Sequence, residues 1–492
     1  MMPRGSATSK FVGRDSLRAD GVSAATTAVM AIAGSAPAYS VAAVSATLIA
    51  TAGLGSAAAL LWCAIPMLGI AWAFAYLGRA DASAGAAYSW VGRVLHPILG
   101  FFSGWALVVS ATIFMVAGAL PAGVVSVGLF APDEVDNVPL VAAVGAAWFL
   151  AMATFVLVGV RISARAQWIM TGIEVVILVA FAVVALTKAS GGNFAGSAFS
   201  WSWFSLGSIN GGTGAFVAAA LVAAFYYWGW DVSANLSEET HNGRRNSGLA
   251  GIIGVISVFV IFTIFTITIQ VVLPAEVIEQ SGGNILGVLG ESIWPGIGGK
   301  ILVTAVLLST VASIETTLIQ VTRTLFAMGR DHTIPRAFGR THRQWKTPVF
   351  ATVAVTGVCV VLFVGSAFFD SVGDLLGNVI SSIGLQMSFY YSLAGAAVVV
   401  AYRLFIFSSV KNFIFIGLWP ALGAAFMLWV FCVSIPALPP IVRVIGLGSL
   451  ALGFIPIALY WKKGALYFHR RTIEVPNDAV PDVAEREQSS RQ

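Results

Sequence analysis

Three carboxyl side chains lie inside apolar segments of this sequence. Asp231 ends the aromatic stretch 225–231 (FYYWGWD), and Glu174 and Glu315 lie nine and eight residues from the nearest basic residue. An ionisable side chain inside a segment of this kind is costly to bury and usually has a function. A buried carboxyl group can carry a proton, or it can attract a cationic group.

Two stretches predict interruptions of apolar helices. Gly229 is a weak helix former, and Pro37, in the stretch 34–37 (GSAP), cannot donate to the carbonyl of Ala33 four residues earlier. A broken helix exposes N–H groups that suit an anion such as a carboxylate, and C=O groups that suit an ammonium group or a cation. Because Pro37 lacks an N–H, we expect its site to be poor in donors and rich in acceptors.

Two broken helices in corresponding halves of a chain are typical of the substrate site of a membrane transporter. The residues predicted to contact such a substrate are Gly34, Ser35, Ala36, Pro37, Phe225, Trp228, Gly229 and Asp231. Structural alternatives exist for three of them. Pro37 could be a packing kink, Asp231 could cap the second half of its helix, and Phe225 could pack rather than gate the site.

The elements that position these residues are membrane-spanning helices. The chain has 492 residues, of which 58% are hydrophobic and 10% charged, so we predict an all-α polytopic membrane protein embedded in a lipid bilayer. Twelve apolar segments of about 20 residues or more are predicted as spans 1 to 12. They lie at roughly 23–50, 54–77, 97–128, 138–158, 166–187, 214–237, 247–273, 297–328, 348–368, 374–402, 412–433 and 441–461.

The distribution of charge predicts the orientation. Of the 27 Lys and Arg residues, all except Lys188, Lys300 and Arg443 fall on one side of a twelve-span chain. The positive-inside rule places that side, with both termini, in the cytoplasm. We therefore expect a multi-pass protein of the cell membrane. Because the basic residues are spread over short loops, no nucleic-acid partner is expected.

Several stretches carry a resemblance to a known family. They are 84–90 (AGAAYSW), 100–105 (GFFSGW), 235–240 (NLSEET) and 323–331 (RTLFAMGRD), followed by Ile-Pro at 334–335 and Thr-Pro at 347–348. Together they resemble the amino acid–polyamine–organocation (APC) transporter superfamily over residues 25–460. The resemblance implies two five-helix inverted repeats, with spans 1 and 6 discontinuous, and alternating access to a site at the two breaks.

This resemblance also divides the chain. It implies a cytoplasmic N-terminal segment at 1–22, an inverted-repeat transport core at 23–403 containing spans 1–10, and peripheral spans 11 and 12 at 404–461. Residues 462–492 are polar and mixed in charge, so we predict a disordered cytoplasmic tail.

Coupling residues are suggested by a departure from the family. Many amino acid transporters of the superfamily have a lysine seven residues after the position of Gln167, where it braces span 1 in place of a sodium ion; here the residue is Glu174. Glu174 is therefore a candidate proton carrier, and Glu315 a second candidate that could instead line the cytoplasmic exit. A structural role is the alternative for Glu174.

A cation site is a further possibility. In sodium-coupled relatives, hydroxyl groups of span 8 meet carbonyl groups of span 1, which here would be Ser309, Thr310 and Ser313 with Ala33. Hydroxyl groups in membrane helices more often join helices to each other. We expect H⁺ rather than Na⁺ as the coupling ion, with no cofactor and no metal centre.

These observations predict a secondary active transporter for a small molecule, most simply an amino acid permease working by proton symport. A transporter or exchanger of a polyamine or other organic amine such as ethanolamine is the alternative. The sequence has no phosphate-binding motif of an ATP-driven pump, and its five histidines lie outside the predicted spans, which disfavours an intramembrane metalloenzyme. A channel or membrane sensor stays open, and nothing in the sequence sets an oligomeric state.

Overall fold

A computed structural model describes residues 16–189, 194–209, 211–366 and 372–464, together with 467–468, 473 and 475. These residues form α-helices joined by short 3₁₀ and π-helical turns. The first seven helices are α1 Ala24–Gly34, α2 Pro37–Ala52, α3 Ser56–Ala80, α4 Ala87–Val94, α5 Pro97–Phe130, α6 Val138–Val158 and α7 Val160–Ala189.

The middle of the chain supplies six helices. They are α8 Gly212–Tyr226, α9 Val232–Asn235, α10 Gly243–Val272, α11 Ala275–Ser281, α12 Ile285–Ile293 and α13 Gly298–Arg330. The last seven are α14 Val349–Ser366, α15 Val372–Ala401, α16 Val410–Asn412, α17 Trp419–Ala437, α18 Pro440–Arg443, α19 Ser449–Ala451 and α20 Phe454–Tyr460.

This architecture confirms the predicted fold class. Within the described residues, ten helical stretches are long and apolar enough to cross a membrane, and one of them, Ala24–Ala80, contains both of the first two predicted spans. The first half of predicted span 6, Gly212–Tyr226, is a shorter apolar helix. The count of twelve spans and the inverted-repeat layout stay predictions.

The two predicted interruptions are present. Between α1 and α2, Ala36 adopts a left-handed conformation (φ 48°, ψ 65°) that is uncommon for a residue with a side chain. Pro37 begins α2, where its missing N–H costs nothing because the first N–H groups of a helix have no partner in the helix. Between α8 and α9, Gly229 has a φ of 96°, which glycine adopts without strain.

Burial separates inner from outer helices. In α13 and in the part of α15 at 378–401, 72% of the most apolar 18-residue stretch is buried inside the protein. The same share is 33% in α7 and 17% in the stretch Pro440–Tyr460. The outer faces are themselves apolar, as at Val176 and Val361. The eighth and tenth predicted spans are therefore central, and the last span is peripheral.

The connections contain structure that the sequence patterns did not predict. The acidic stretch after α10, which lies between the seventh and eighth predicted spans and in which the sequence patterns predict no element, forms the short helices α11 and α12. Helix α4 lies between the second and third predicted spans. Most of the tail predicted from residue 462 lies outside the described residues. Within it, Tyr467 is buried, stacks on Tyr88 of α4 at 4.7 Å and donates a hydrogen bond to the Tyr88 carbonyl.

Candidate functional site

The two helix breaks contact each other directly at two glycines. A methyl group added to Gly34 would lie 2.3 Å from the carbonyl oxygen of Gly229, and one added to Gly229 would lie 2.1 Å from that of Gly34. Both distances are far below van der Waals contact, so neither position has room for a side chain. The two sequence-predicted interruptions therefore form one site, with α1, α2, α8 and α9 meeting around it.

An aromatic cluster of four buried rings lies beside this contact. Phe114 of α5 packs edge-on against Tyr39 of α2 and Trp228, with ring centroids 6.0 and 5.3 Å apart. Phe225 lies 6.4 Å from Phe114 and 6.5 Å from Trp228. The sequence indicated Phe225 and Trp228 but not Tyr39 or Phe114, because only tertiary packing brings α5 to the break.

Asp231 is the acidic member of the site. Its side chain is buried, and its Oδ2 accepts a hydrogen bond from the Tyr390 hydroxyl at 2.9 Å. That hydroxyl accepts in turn from Trp228 Nε1 at 2.8 Å. Asp231 occupies the position before α9, but its side chain makes no capping hydrogen bond to any described backbone group. The alternative that Asp231 caps this helix is therefore wrong.

Several buried polar atoms near Asp231 are unsatisfied. Gln320 of α13 and Tyr391 of α15 lie beside the Asp231 carboxyl group without reaching good hydrogen-bond geometry. Across the described part of the chain, no partner is found for Asp231 Oδ1, Gln320 Nε2, the Tyr391 hydroxyl or Trp230 Nε1. A buried polar atom left without a partner costs about 1–3 kcal/mol. Such a concentration of unpaired donors and acceptors is typical of a site that binds a polar ligand or water.

Glu174 holds the start of α2. Its Oε1 accepts from the backbone N–H of Ala38 at 2.8 Å, and Ser309 Oγ accepts from the N–H of Tyr39 at 3.2 Å. These are among the first N–H groups of α2, which have no partner inside the helix. Glu174 thus faces the bundle, and it binds the helix end that would otherwise suit an anion.

The break in the first span has few free donors. Ser35 N–H bonds to Ile32 O, and the Ala36 N–H bonds to Ala33 O at 3.0 Å. With the N–H groups of residues 38–40 bonded to Glu174, Ser309 and the Ala36 carbonyl, each N–H from 35 to 40 has a partner. This agrees with the expected shortage of donors. The Ala33 carbonyl, expected to be free, is instead taken up by Ala36.

The hydroxyl groups proposed for a cation site mostly bond within their own helix. Thr310 Oγ1 donates to Val306 O at 2.7 Å, and Ser313 Oγ donates to Thr310 O at 2.9 Å. Ser309 faces α2, as described above. Among the residues that the structure describes, no group of three or more His, Cys, Asp or Glu side chains could hold a metal ion. Cation binding here stays a prediction.

Glu315 lies on α13, two turns from Ser309. Its side chain is fully buried, and its Oε2 accepts from Gln167 Nε2 of α7 at 2.8 Å. The same amide nitrogen donates to Ala312 O at 2.8 Å. Glu315 therefore lies between two helices and is not exposed to an exit path in this conformation.

An ion-pair network closes one end of the bundle, the end that contains Arg161 and Arg330 and is called the basic side below. Arg323 Nε donates to Glu239 at 2.9 Å, with both side chains fully buried. Arg330 contacts both oxygens of Glu238, at 2.8 and 3.0 Å. These pairs join the end of the sixth predicted span to α13. Glu239 is thus an internal link and not a surface charge.

Asn235 adds to this closure. Its Nδ2 donates to Ala84 O at 2.7 Å and to Thr324 Oγ1 at 3.0 Å, while the Ala84 N–H donates to Glu238 at 2.8 Å. The stretches 84–90, 235–240 and 323–331, which carry the family resemblance, therefore meet at one place.

Comparisons with known proteins agree with this geometry. The family model described as amino acid permease matches residues 23–457. The chain is 27% identical to the vacuolar cationic amino acid transporter 4 of Arabidopsis thaliana, over 64% of this chain and 52% of that protein. It is 24% identical to the vacuolar cationic amino acid transporter 2 of the same plant, over 65% and 50%.

A bacterial relative matches more of its own length. The methylthioribose transporter of Bacillus subtilis (strain 168) is 25% identical over 80% of this chain and 83% of that protein. By contrast, the chain spans about half the length of the plant relatives it matches. The chain belongs to the amino acid permease family.

Proposed function

We propose that this chain is a secondary active transporter that moves amino acids across the cell membrane by alternating access. The observation that carries the proposal is the contact between the two helix breaks at Gly34 and Gly229, beside the buried Asp231. A central site between two broken helices is the arrangement that lets a membrane protein expose one binding site to each side in turn. Family membership supports the same conclusion.

Alternation requires that each side of the site can be closed. The Glu239–Arg323 and Glu238–Arg330 pairs close the basic side in the conformation described. By the positive-inside rule this side faces the cytoplasm, together with both termini. The proposed cycle opens this network after the outer path closes, which releases substrate inward.

The proposed substrate is an amino acid with a cationic group. Asp231 supplies a carboxyl group whose Oδ1 is unpaired among the described residues, and aromatic rings at Phe114 and Trp228 lie close by. Carboxyl oxygens and aromatic faces both attract a cation. Two of the relatives are named as cationic amino acid transporters, which supports this class.

Coupling to protons is proposed through Glu174. This carboxyl group is buried at the start of α2, immediately beside the break, so its protonation would alter the hydrogen bond to Ala38 that holds the second half of the first span. A proton bound there would thus be linked to the geometry of the substrate site. Sodium at Ser309 and its neighbours is the alternative coupling ion.

A second candidate substrate is an amine that lacks a carboxylate. The observation that favours it is the use of each backbone N–H from 35 to 40 inside the protein, which leaves the first break without a free backbone N–H for a carboxylate. The methylthioribose transporter is a relative named for a substrate other than an amino acid.

Counterflow in vesicles containing the purified protein tests the proposal. Labelled arginine, lysine and ornithine are compared with agmatine, cadaverine and putrescine, which differ from them only by loss of the carboxylate. A carrier takes up label faster when unlabelled substrate is trapped inside. Preference for the amino acid in each pair supports the first proposal, and preference for the amine supports the second. No stimulation by any of the six, or by the other common amino acids, would contradict a carrier for these classes.

A further inference from the structure

Helix α7 buries a line of polar side chains. Ser163, Gln167, Thr171 and Glu174 are at most 3% exposed and follow each other at spacings of four, four and three residues, which places them on one face of the helix. The opposite face of α7 is apolar and exposed, as at Ile169 and Val176. This polar face is turned inward over residues 163–174 of the 30-residue helix α7. Burying polar groups in this way is costly in a membrane helix, so it calls for an explanation.

The partner of this face is α13. Gln167 of α7 bonds to Glu315 of α13. Further along α7, Glu174 lies beside Ser309 of α13, and both side chains bond to N–H groups at the start of α2. The two helices therefore run antiparallel, with Glu315 closer to the basic side than Glu174. Ser163 lies in the first turn of α7, next to the exposed Arg161. We call Ser163, Gln167, Thr171, Glu174 and Glu315 the polar seam.

Every member of the polar seam has an unsatisfied atom. Across the described chain no partner is found for Ser163 Oγ, Gln167 Oε1, Thr171 Oγ1, Glu174 Oε2 or Glu315 Oε1. Gln167 bonds to Glu315, Ser163 lies beside Glu315, and Ser309 lies beside Glu174, so these contacts join the helices but satisfy only part of the polar atoms. Buried polar groups left unpaired by the protein are usually satisfied by internal water. Five such atoms lie along a stretch of about 16 Å, and each is a group to which an internal water molecule can bond.

The charged groups around the seam leave its two carboxyl groups free to exchange protons. The charged residues on helices packed against α7 are Arg244 and Arg245 of α10, Glu291 of α12, and Lys300, Arg323 and Arg330 of α13. Those on α10 and α12, and Lys300, are exposed, while Arg323 and Arg330 are paired with Glu239 and Glu238. On α7 itself, Arg161, Arg165 and Lys188 lie outside the seam.

We propose that the polar seam is a water-filled proton path between the break in the first span and the basic side, with Glu315 as a second proton-binding station after Glu174. The path deepens the proposed function and rests on it. A proton leaves the Glu174 carboxyl group for the adjacent water, which gives up another proton to the next water. The last of these waters protonates the Glu315 carboxylate. Glu315 then releases its proton to water near Ser163. Each intervening water and Glu315 gain one proton and lose one, while Glu174 ends as a carboxylate and one proton is passed to the water at the basic side.

Transport measurements separate this path from substrate binding. The purified full chain is placed in vesicles, and two activities are measured with labelled arginine: net uptake driven by a pH gradient, and counterflow with equal pH on both sides. Labelled agmatine replaces arginine if the wild type exchanges only the amine. Net uptake requires proton release at the basic side on every cycle, whereas exchange does not. For Glu315→Gln we expect net uptake to fall at least about tenfold with counterflow within about twofold of wild type.

Thr171→Val provides a second variant that keeps the size of the side chain and removes only a hydroxyl group from the middle of the seam. We expect the same selective loss of net uptake. Thr352→Val is the matched control, because Thr352 is a buried hydroxyl on α14 that bonds only to its own helix at Pro348 O among the described residues. The path would be overturned if both seam variants showed normal net uptake. It would also be overturned if a folded Glu315→Gln protein lost net uptake and counterflow to the same extent.

Infrared spectroscopy gives a readout that needs no substrate. At a pH low enough for both carboxyl groups to be protonated, Glu174→Gln and Glu315→Gln should each remove a protonated-carboxyl band from the spectrum of the purified protein. Transfer to D₂O should shift these bands at least about tenfold more slowly in Thr171→Val than in the wild type or Thr352→Val. Equal exchange in all proteins would contradict the path. Failure of counterflow in the wild type would instead contradict the proposed function.

Discussion

At the scale of single residues, the site depends on polar groups that come from distant parts of the chain. Asp231 is paired with Tyr390, 159 residues away, and Glu174 with the Ala38 N–H, 136 residues away. The sequence could indicate the carboxyl groups, because charge inside an apolar segment is rare. It could not indicate Tyr390, Gln320 or Phe114, because tyrosine, glutamine and phenylalanine are unremarkable in such segments until tertiary packing selects them.

One prediction at this scale concerns Glu174. Glu174→Gln keeps the size of the side chain and removes the proton site, so we expect uptake to become insensitive to an imposed pH gradient. In the wild type each pH unit supplies about 1.4 kcal/mol per proton, or about tenfold accumulation. The measurement is labelled uptake into vesicles at several imposed gradients. Glu276→Gln removes an exposed carboxyl group on α11 and serves as the control. Gradient-dependent uptake that persists in Glu174→Gln would rule out Glu174 as the proton carrier.

At the scale of helices, the breaks were predictable and their surroundings were not. Proline and glycine interrupt helices for local reasons, and the stretches 34–37 and 225–231 therefore indicated the breaks correctly. The boundaries of the long apolar helices were also close to the predicted ones. The short helices α11 and α12 were not predicted, because an acidic stretch of this length carries a weak helical pattern. The contact between the two breaks could not be predicted, because it depends on packing between helices.

The glycine contact leads to a prediction about stability. Alanine at Gly34 or Gly229 would place a methyl group within 2.3 Å of the opposite backbone, and a forced displacement of this kind costs about 1–3 kcal/mol. At Gly229 the positive φ adds strain. We expect both variants to melt at lower temperature than the wild type. Gly357→Ala, on an exposed face of α14 with nothing within 4 Å, should melt no lower. Equal melting of all three variants would contradict the close contact.

The buried pair at the basic side leads to a second prediction about helices. Glu239→Gln leaves the Arg323 charge buried without its partner, which costs about 3–5 kcal/mol. The double variant Glu239→Gln with Arg323→Met removes both charges, and we expect it to recover more than half of that loss in thermal unfolding. Asp20→Asn breaks the exposed pair with His241 and should change stability little. A double variant no more stable than Glu239→Gln alone would show that the pair itself is not the cause.

At the scale of the whole molecule, composition alone was enough to predict an all-α polytopic membrane protein, and the family match agrees with the resemblance drawn from short motifs. Three of those motifs, 84–90, 235–240 and 323–331, meet at the ion-pair network on the basic side although they lie far from each other in sequence. We propose that the closed basic side and the paired breaks belong to one carrier with one substrate site.

Counterflow with an Asp231→Ala variant tests this claim most directly. Asp231 is the buried acidic group of the site and makes no helix cap, so its removal should leave the helices intact while it weakens substrate binding. Vesicles containing wild-type protein, Asp231→Ala or the exposed-carboxyl control Glu276→Ala are loaded with unlabelled substrate and given labelled substrate outside. We expect rapid exchange in the wild type and the control and none in folded Asp231→Ala. Exchange at the wild-type rate in Asp231→Ala would contradict the placement of the substrate at the paired breaks.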